Sequence, residues 1–380
     1  MSAWHRSVIA RRLGLAAPII QGPFGGGLSS VDLVVAVSEA GGLGSFGAHH
    51  LSGAQIGDIA TAIRARTSRP FALNLWMPFE DSDDPALDDD AFARHAAALK
   101  PYFDELGVPL PLRPARFMPR FDEQIEAVLA ARPAVFSFVY GIPSESVLRR
   151  CRELGITTLG AATTVDEAIT LDRAGVDLVV ASGFEAGGHR VSFLRPAERS
   201  LTGTFALVPQ VVDAIGKPVI AAGGIADGRG IAAALALGAQ AVQIGTAFLA
   251  CEQSSASDLH RQQLFSADAR DTGLTRAFSG RLARGIRNRL MDELADRQAS
   301  LPPYPVQNWL TGAMKPAAIA QKRTDLMSLW AGQAAPLLRQ RDARALMTSL
   351  IAQVEQVVAR IAPDPLATEP ERTHADARTR

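Results

Sequence analysis

Cysteine is nearly absent from this chain of 380 residues: only Cys151 and Cys251 occur, far apart and outside any CxxC. Two such thiols supply neither a disulfide framework nor a zinc site, so reduced thiols in a cytoplasmic protein, with no metal, are the expectation. Excess charge is also missing, with 39 Lys+Arg against 39 Asp+Glu. A balanced chain lacks the field that draws nucleic acid or an anionic membrane, and this argues against both as main partners while leaving room for local anion sites. No apolar run approaches the ~18–20 residues of a membrane span. The segment Met1-Ser-Ala-Trp-His-Arg6 has no apolar core of a secretory signal.

What is present is an alternation. Short apolar runs lie at 18–21, 43–46, 70–75, 134–139, 157–161, 176–181, 217–222 and 241–244, and most of the intervals carry helical patterning. Helices are expected at 29–40 with a serine N-cap, 56–66, 123–131, 144–154 capped by Ser144, 165–174, 206–215 and 228–237. Eight buried strands separated by helices, with glycine after the strands, predict a (β/α)8 TIM barrel over 1–250; an open doubly wound sheet is the alternative. Residues 78–120 break the rhythm with acidic runs at 80–84 and 88–90 and recurrent proline. They read as an insertion after strand three with one helix near 90–106, the acidic runs forming a solvated face. Residues 251–362 read as a C-terminal helical extension packing on the barrel and its site. Within it, 276–291 is arginine-rich and 333–361 is one long helix. The stretch 363–380 is expected to be disordered. Oligomeric state does not follow from the sequence.

The chemistry is expected at strand ends, where barrels build their sites. After strand six comes Ala181-Ser-Gly-Phe-Glu-Ala-Gly-Gly-His-Arg190. Glycines here let backbone approach a flat or charged ligand, and His189 stands out among the seven histidines as the one in such a setting. Strands seven and eight end in Ala221-Ala-Gly-Gly-Ile225 and Gln243-Ile-Gly-Thr246. Barrels commonly hold phosphate between these two loops with backbone N–H groups and a helix N-terminus, and Thr246 adds a hydroxyl. Gly22-Pro-Phe24 and Asn74, after strands one and three, offer backbone groups, an apolar surface and an amide. Phosphate at one side and an amide at the other suit flavin mononucleotide (FMN). The spacing Gly42-x-Gly44-x-x-Gly47 matches a dinucleotide fingerprint but lies over a strand instead of opening a helix, so it is rejected.

Together these pieces resemble the nitronate monooxygenase family, formerly called 2-nitropropane dioxygenase. They are Pro18-Ile-Ile-Gln-Gly-Pro-Phe24, Phe71-Ala-Leu-Asn-Leu75, Glu185-Ala-Gly-Gly-His-Arg190, Ala221-Ala-Gly-Gly-Ile225 and Gln243-Ile-Gly-Thr246. Thr275-Arg-Ala-Phe-Ser-Gly-Arg281 and Tyr304-Pro-Val-Gln-Asn308 are similar to its bacterial class I branch. The resemblance implies an FMN-dependent barrel that oxidises alkyl nitronates such as propionate 3-nitronate with dioxygen, releasing nitrite and a carbonyl compound, without metal or nicotinamide. It implies His189 as the catalytic residue, with Phe24, His189 and Tyr304 at the substrate. Cofactor contacts would come from Gly22, Pro23, Phe24, Asn74, Ser182, Gly187, Gly188, Gly223, Gly224, Gln243, Ile244, Gly245 and Thr246. Ser182 departs from the family, which usually has glutamine there, and Val191 replaces a common glycine. His189 could act as a base towards a neutral nitroalkane or, as imidazolium, hold an anion. Arg190 could assist with charge or be solvated. Two other readings remain: an NAD(P)H-dependent FMN quinone or enoyl-thioester reductase, and a flavin- or phosphate-binding protein without turnover.

Overall fold

The computed structural model describes residues 3–78, 87–298 and 300–361. Eight parallel strands form the core: β1 Ile19–Gln21, β2 Gly44–Gly47, β3 Phe71–Trp76, β4 Val135–Val139, β5 Thr157–Ala162, β6 Leu178–Ser182, β7 Val219–Ala222 and β8 Ala241–Ile244. Each strand from β2 to β8 pairs with its chain neighbours, and β8 pairs with β1. The ring closes where Leu43 bridges Ile20, with Gln21 N–H donating to Leu43 O at 2.9 Å. This is a (β/α)8 barrel. Its strands are buried along nearly their whole length, as strands lined by side chains inside and covered by helices outside must be.

Local chemistry sets the helix starts. Ser52 and Gln55 form a reciprocal capping box at the helix Gly53–Arg64. Ser30 caps Val31–Glu39 by accepting from Leu33 N–H at 3.0 Å. Ser29 lies outside that helix and bonds elsewhere. Its hydroxyl accepts from Phe24 N–H and Gly47 N–H and donates to Phe24 O. It thereby holds the loop after β1 against the end of β2.

The insertion contains the helix Asp89–Leu106, capped by Asp88 and ended by Gly107 in the left-handed region at φ 66°. Asp88–Asp90 sit exposed at its positive end; the acidic run at 80–84 lies outside the described residues. The arginine-rich segment folds as a hairpin, β9 Thr272–Thr275 with β10 Ala283–Ile286. One continuous helix over 333–361 does not form. A 3-10 turn spans Ala335–Leu337, Leu338 turns extended at ψ 138°, and the helix is Ala343–Ile361. Pro336 cannot donate into a helical ladder. Asp342 restarts it by accepting from the N–H groups of Arg344 and Ala345. That last helix packs outside the barrel, where Gly228 meets Gln353 so closely that an added Cβ would lie 2.4 Å from its Cβ. The expected disordered stretch 363–380 lies outside the described residues. Among the described residues no helix is long and apolar enough to cross a membrane.

Candidate active site

A cavity of about 430 Å³ opens at the C-terminal ends of the strands. Gly22, Pro23, Phe24, Asn74, Ser182, Gly187, Gly188, His189, Gly223, Gly224, Gln243, Gly245, Thr246 and Tyr304 all line it. Ile244 does not. Its side chain is packed in the hydrophobic core, as strand alternation demands for the neighbour of an inward-facing Gln243, and only its carbonyl serves the site, accepting from Gly22 N–H at 2.9 Å.

One end of the cavity is a backbone cradle. Gly223 and Gly224 have φ of 100° and 70°, a region costly for any residue with a Cβ. Among the described residues no acceptor meets either N–H. Thr246 Oγ1 accepts from Gly332 N–H at 2.9 Å, so its own proton stays available. Gly187 passes so near Gly332 that a Cβ would lie 2.5 Å from its nitrogen. Glu185 beside the cradle turns its carboxylate onto Thr204, accepting from the backbone N–H at 2.9 Å. Asp227 caps the helix Gly228–Ala236 by accepting from Arg229 and Gly230 N–H, whereas the short helix Thr246–Leu249, which starts in the loop after β8, has no side-chain cap. The groups at this end that could hold an anion are the loop amides and Thr246 at the start of its short helix. Asn74 sits across the cavity, its amide nitrogen donating to Ser137 Oγ at 3.0 Å, which leaves Oδ1 for a ligand.

His189 forms a two-residue strand with Gly188, paired antiparallel to β10 with His189 opposite Ala283. Its Nε2 lies 2.8 Å from Ser279 Oγ. Trp76 and Trp330 press on the ring with centroids at 5.1 and 5.4 Å, and Tyr304 stands at 6.5 Å. Enclosure first, and the Arg281 charge second, draw the His189 pKa down to about 3. The imidazole is neutral at ordinary pH, so the imidazolium role is not the resting state of this histidine.

A nitronate monooxygenase family model matches residues 7–353. The chain belongs to the nitronate monooxygenase family. A probable nitronate monooxygenase of Staphylococcus aureus (strain MRSA252) is 39% identical over 356 residues, covering 93% of this chain and 99% of the relative. Among solved structures, the nitroalkane oxidase from Streptomyces ansochromogenes is similar with a TM-score of 0.83 and 35% identity, covering 94% of this chain and all of that one. FabK from Thermotoga maritima gives a TM-score of 0.73 at 26% identity, covering 93% and 98%.

Several wall residues of this family member escaped the sequence reading. His189 is not alone in its setting: His49 and His50 follow β2 directly and line the same cavity, as does Trp76 at the end of β3. The strand-end rule applied to β6 would have found them on β2 and β3. Met118 and Trp330 could not have been found so, since they arrive from the insertion and the extension. Tyr304 ties these two together, its hydroxyl lying 3.3 Å from Met118 Sδ.

Arg190 is neither solvated nor a wall of the cavity. It is 2% exposed and donates to the carbonyls of Gly183, Ser182 and Ser200 at 2.6, 3.0 and 3.1 Å. Burial draws its pKa to about 10, so it remains charged. It staples the loop that carries His189. Arg190→Met keeps much of the volume and strands three carbonyls, and is expected to cost about 3 kcal/mol, read as a fall in the denaturation midpoint. An unchanged midpoint would show that the staple contributes nothing.

Proposed function

We propose that the protein is an FMN-dependent nitronate monooxygenase. It oxidises short alkyl nitronates, propionate 3-nitronate among them, with dioxygen to nitrite and a carbonyl compound. The observation that carries this reading is one cavity with two different ends: unsatisfied glycine amides at one, and a neutral histidine held by Ser279 at the other.

These residues fit FMN. The amides of Gly223 and Gly224 and the Thr246 hydroxyl suit its phosphate, Asn74 Oδ1 and Gln243 suit a ring edge, and Pro23 and Phe24 suit a ring face. When bound, FMN supplies an acceptor for the substrate's electrons and a donor to dioxygen. The protein's part is binding and proton control. Ser279 fixes the ring of His189 through Nε2, and no described residue takes Nδ1. A neutral imidazole so placed accepts a proton from the carbon of a nitroalkane, whereas a nitronate arrives without that proton. Trp76, Tyr304 and Trp330 exclude water around it.

The test is an oxygen electrode and a nitrite assay. Propionate 3-nitronate is expected to consume oxygen and release nitrite without added NADH, and NADH is expected to leave the oxidised flavin spectrum unchanged. Bleaching by NADH, with no response to nitronates, would replace this reading with the reductase. Flavin that neither reagent reduces would point to a binding protein.

A further inference from the structure

Among the described residues, Ser279 alone hydrogen-bonds the ring of His189. Its side chain is buried, in the turn between β9 and β10, and the fold locks that turn from several sides. Gly280 N–H donates to Arg276 O at 2.8 Å, and Arg276 Nη1 donates back to Gly280 O at 3.0 Å. Arg276 also pairs with Glu198, which follows β6. Thr311 Oγ1 donates to Phe278 O. Gly280 itself has φ 76° and packs so tightly on Pro302 O that no Cβ fits there. Ser279 therefore meets His189 from a scaffold that neither residue's own neighbours supply.

Counting protons gives this contact a direction. A serine hydroxyl has one proton to donate and two lone pairs to accept with. Ser279 Oγ donates to Arg281 O at 3.2 Å and accepts from Arg281 N–H at 3.3 Å. A carbonyl can only accept, so the proton given to it does not also serve His189. The 2.8 Å contact is then made by an Nε2–H that donates to the remaining lone pair of Ser279. On a neutral imidazole this leaves Nδ1 with its lone pair. Nδ1 of His189 has no partner among the described residues, and it is accessible in a ring that lines the cavity, whereas the Nδ1 atoms of His49 and His50 are sealed. The reverse tautomer takes the Ser279 proton away from Arg281 O and leaves an Nδ1–H that no described residue accepts. An orphaned N–H is rarer in native structures than an under-used acceptor.

We propose that Ser279 is a positioning residue that holds the His189 proton on Nε2, so that Nδ1 is the atom that takes the proton from the substrate carbon. The proposal rests on the function proposed above. In that step the C–H bond of a nitroalkane breaks, its electron pair stays on the substrate as the nitronate, and the proton forms an N–H at Nδ1. The imidazolium keeps its Nε2–H on Ser279 and later releases the Nδ1 proton to solvent. A preformed nitronate skips the step.

The tautomer is read directly by NMR of the full-length protein with its histidines labelled with 15N, the His189 signals being those missing from His189→Asn. Wild type is expected to show a bonded proton on Nε2 and none on Nδ1. A bonded proton on Nδ1 would overturn the proposal, and this measurement decides the matter even if no Ser279 variant folds. In Ser279→Ala the Nε2 proton should exchange with water and its signal broaden; a signal as sharp as in wild type would show that Ser279 does not hold it. The ratio of kcat/KM for nitroethane to that for ethyl nitronate should fall about tenfold or more in Ser279→Ala, because a misdirected base costs only the substrate that must lose a proton. An unchanged ratio would make Ser279 merely structural and overturn its role. If wild type oxidises no nitronate yet shows an Nε2 proton held by Ser279, the monooxygenase reading falls and the tautomer assignment stands.

Discussion

His189→Asn is expected to fold, to retain FMN and to lose turnover by about 10²–10⁴, the usual worth of a histidine in proton transfer. Asparagine can still meet Ser279, so the geometry survives while the titratable nitrogen is lost. The loss should be greater with a neutral nitroalkane than with the preformed nitronate, because only the former must surrender a proton from carbon. Equal losses would assign His189 to positioning, and unchanged rates would remove it from the mechanism. The sign of its pH dependence follows from a pKa drawn down to about 3. The base form persists as pH rises and is lost only as pH falls towards that value. His189 should therefore add no inflection to the kcat/KM profile between about pH 5 and 8, where an unperturbed histidine would titrate.

Gly224→Asp is expected to yield a folded, colourless protein. The backbone there has φ 70°, and a Cβ would lie 3.4 Å from that of Glu185. A carboxylate added at this point faces both Glu185 and the phosphate that the loop amides would hold. Like charges brought together cost several kcal/mol, which is about a hundredfold or more in affinity for FMN. Gly224→Ala separates strain from charge: it should weaken FMN far less. Absorbance of the purified variants, with circular dichroism as the check on folding, decides it. A fully yellow Gly224→Asp protein would move the phosphate elsewhere in the cavity.

Much of this was legible in the sequence because it is local. A strand buried on both faces must be an unbroken apolar run, and backbone that turns through positive φ or packs close on another loop favours glycine, so the eight strands and the loops at 187–188 and 223–224 announced themselves. The same locality misled at three places. Ile244 sits inside the Gln243-Ile-Gly-Thr246 motif but points into the core, because side chains alternate along a strand. Arg190 beside His189 could be read as assisting with charge or as solvated, yet the fold brings three carbonyls around it. His49 and His50 were passed over although they stand at a strand end like His189.

By itself the sequence determined the barrel, and it pointed to the C-terminal strand ends and to His189, which the structure brings into the wall of one cavity. Hydrophobic period and glycine placement act over a few residues, and they are written where they act. Only the tertiary structure decided what surrounds that histidine. Ser279, Tyr304 and Trp330 reach it from the C-terminal extension, Met118 lines the same cavity from the insertion, and Trp76, stacked on His49, meets its ring at 5.1 Å. The depressed pKa of His189 arises from that enclosure and from Arg281. Burial and through-space charge depend on which distant segments fold together, and no window of neighbouring residues contains them.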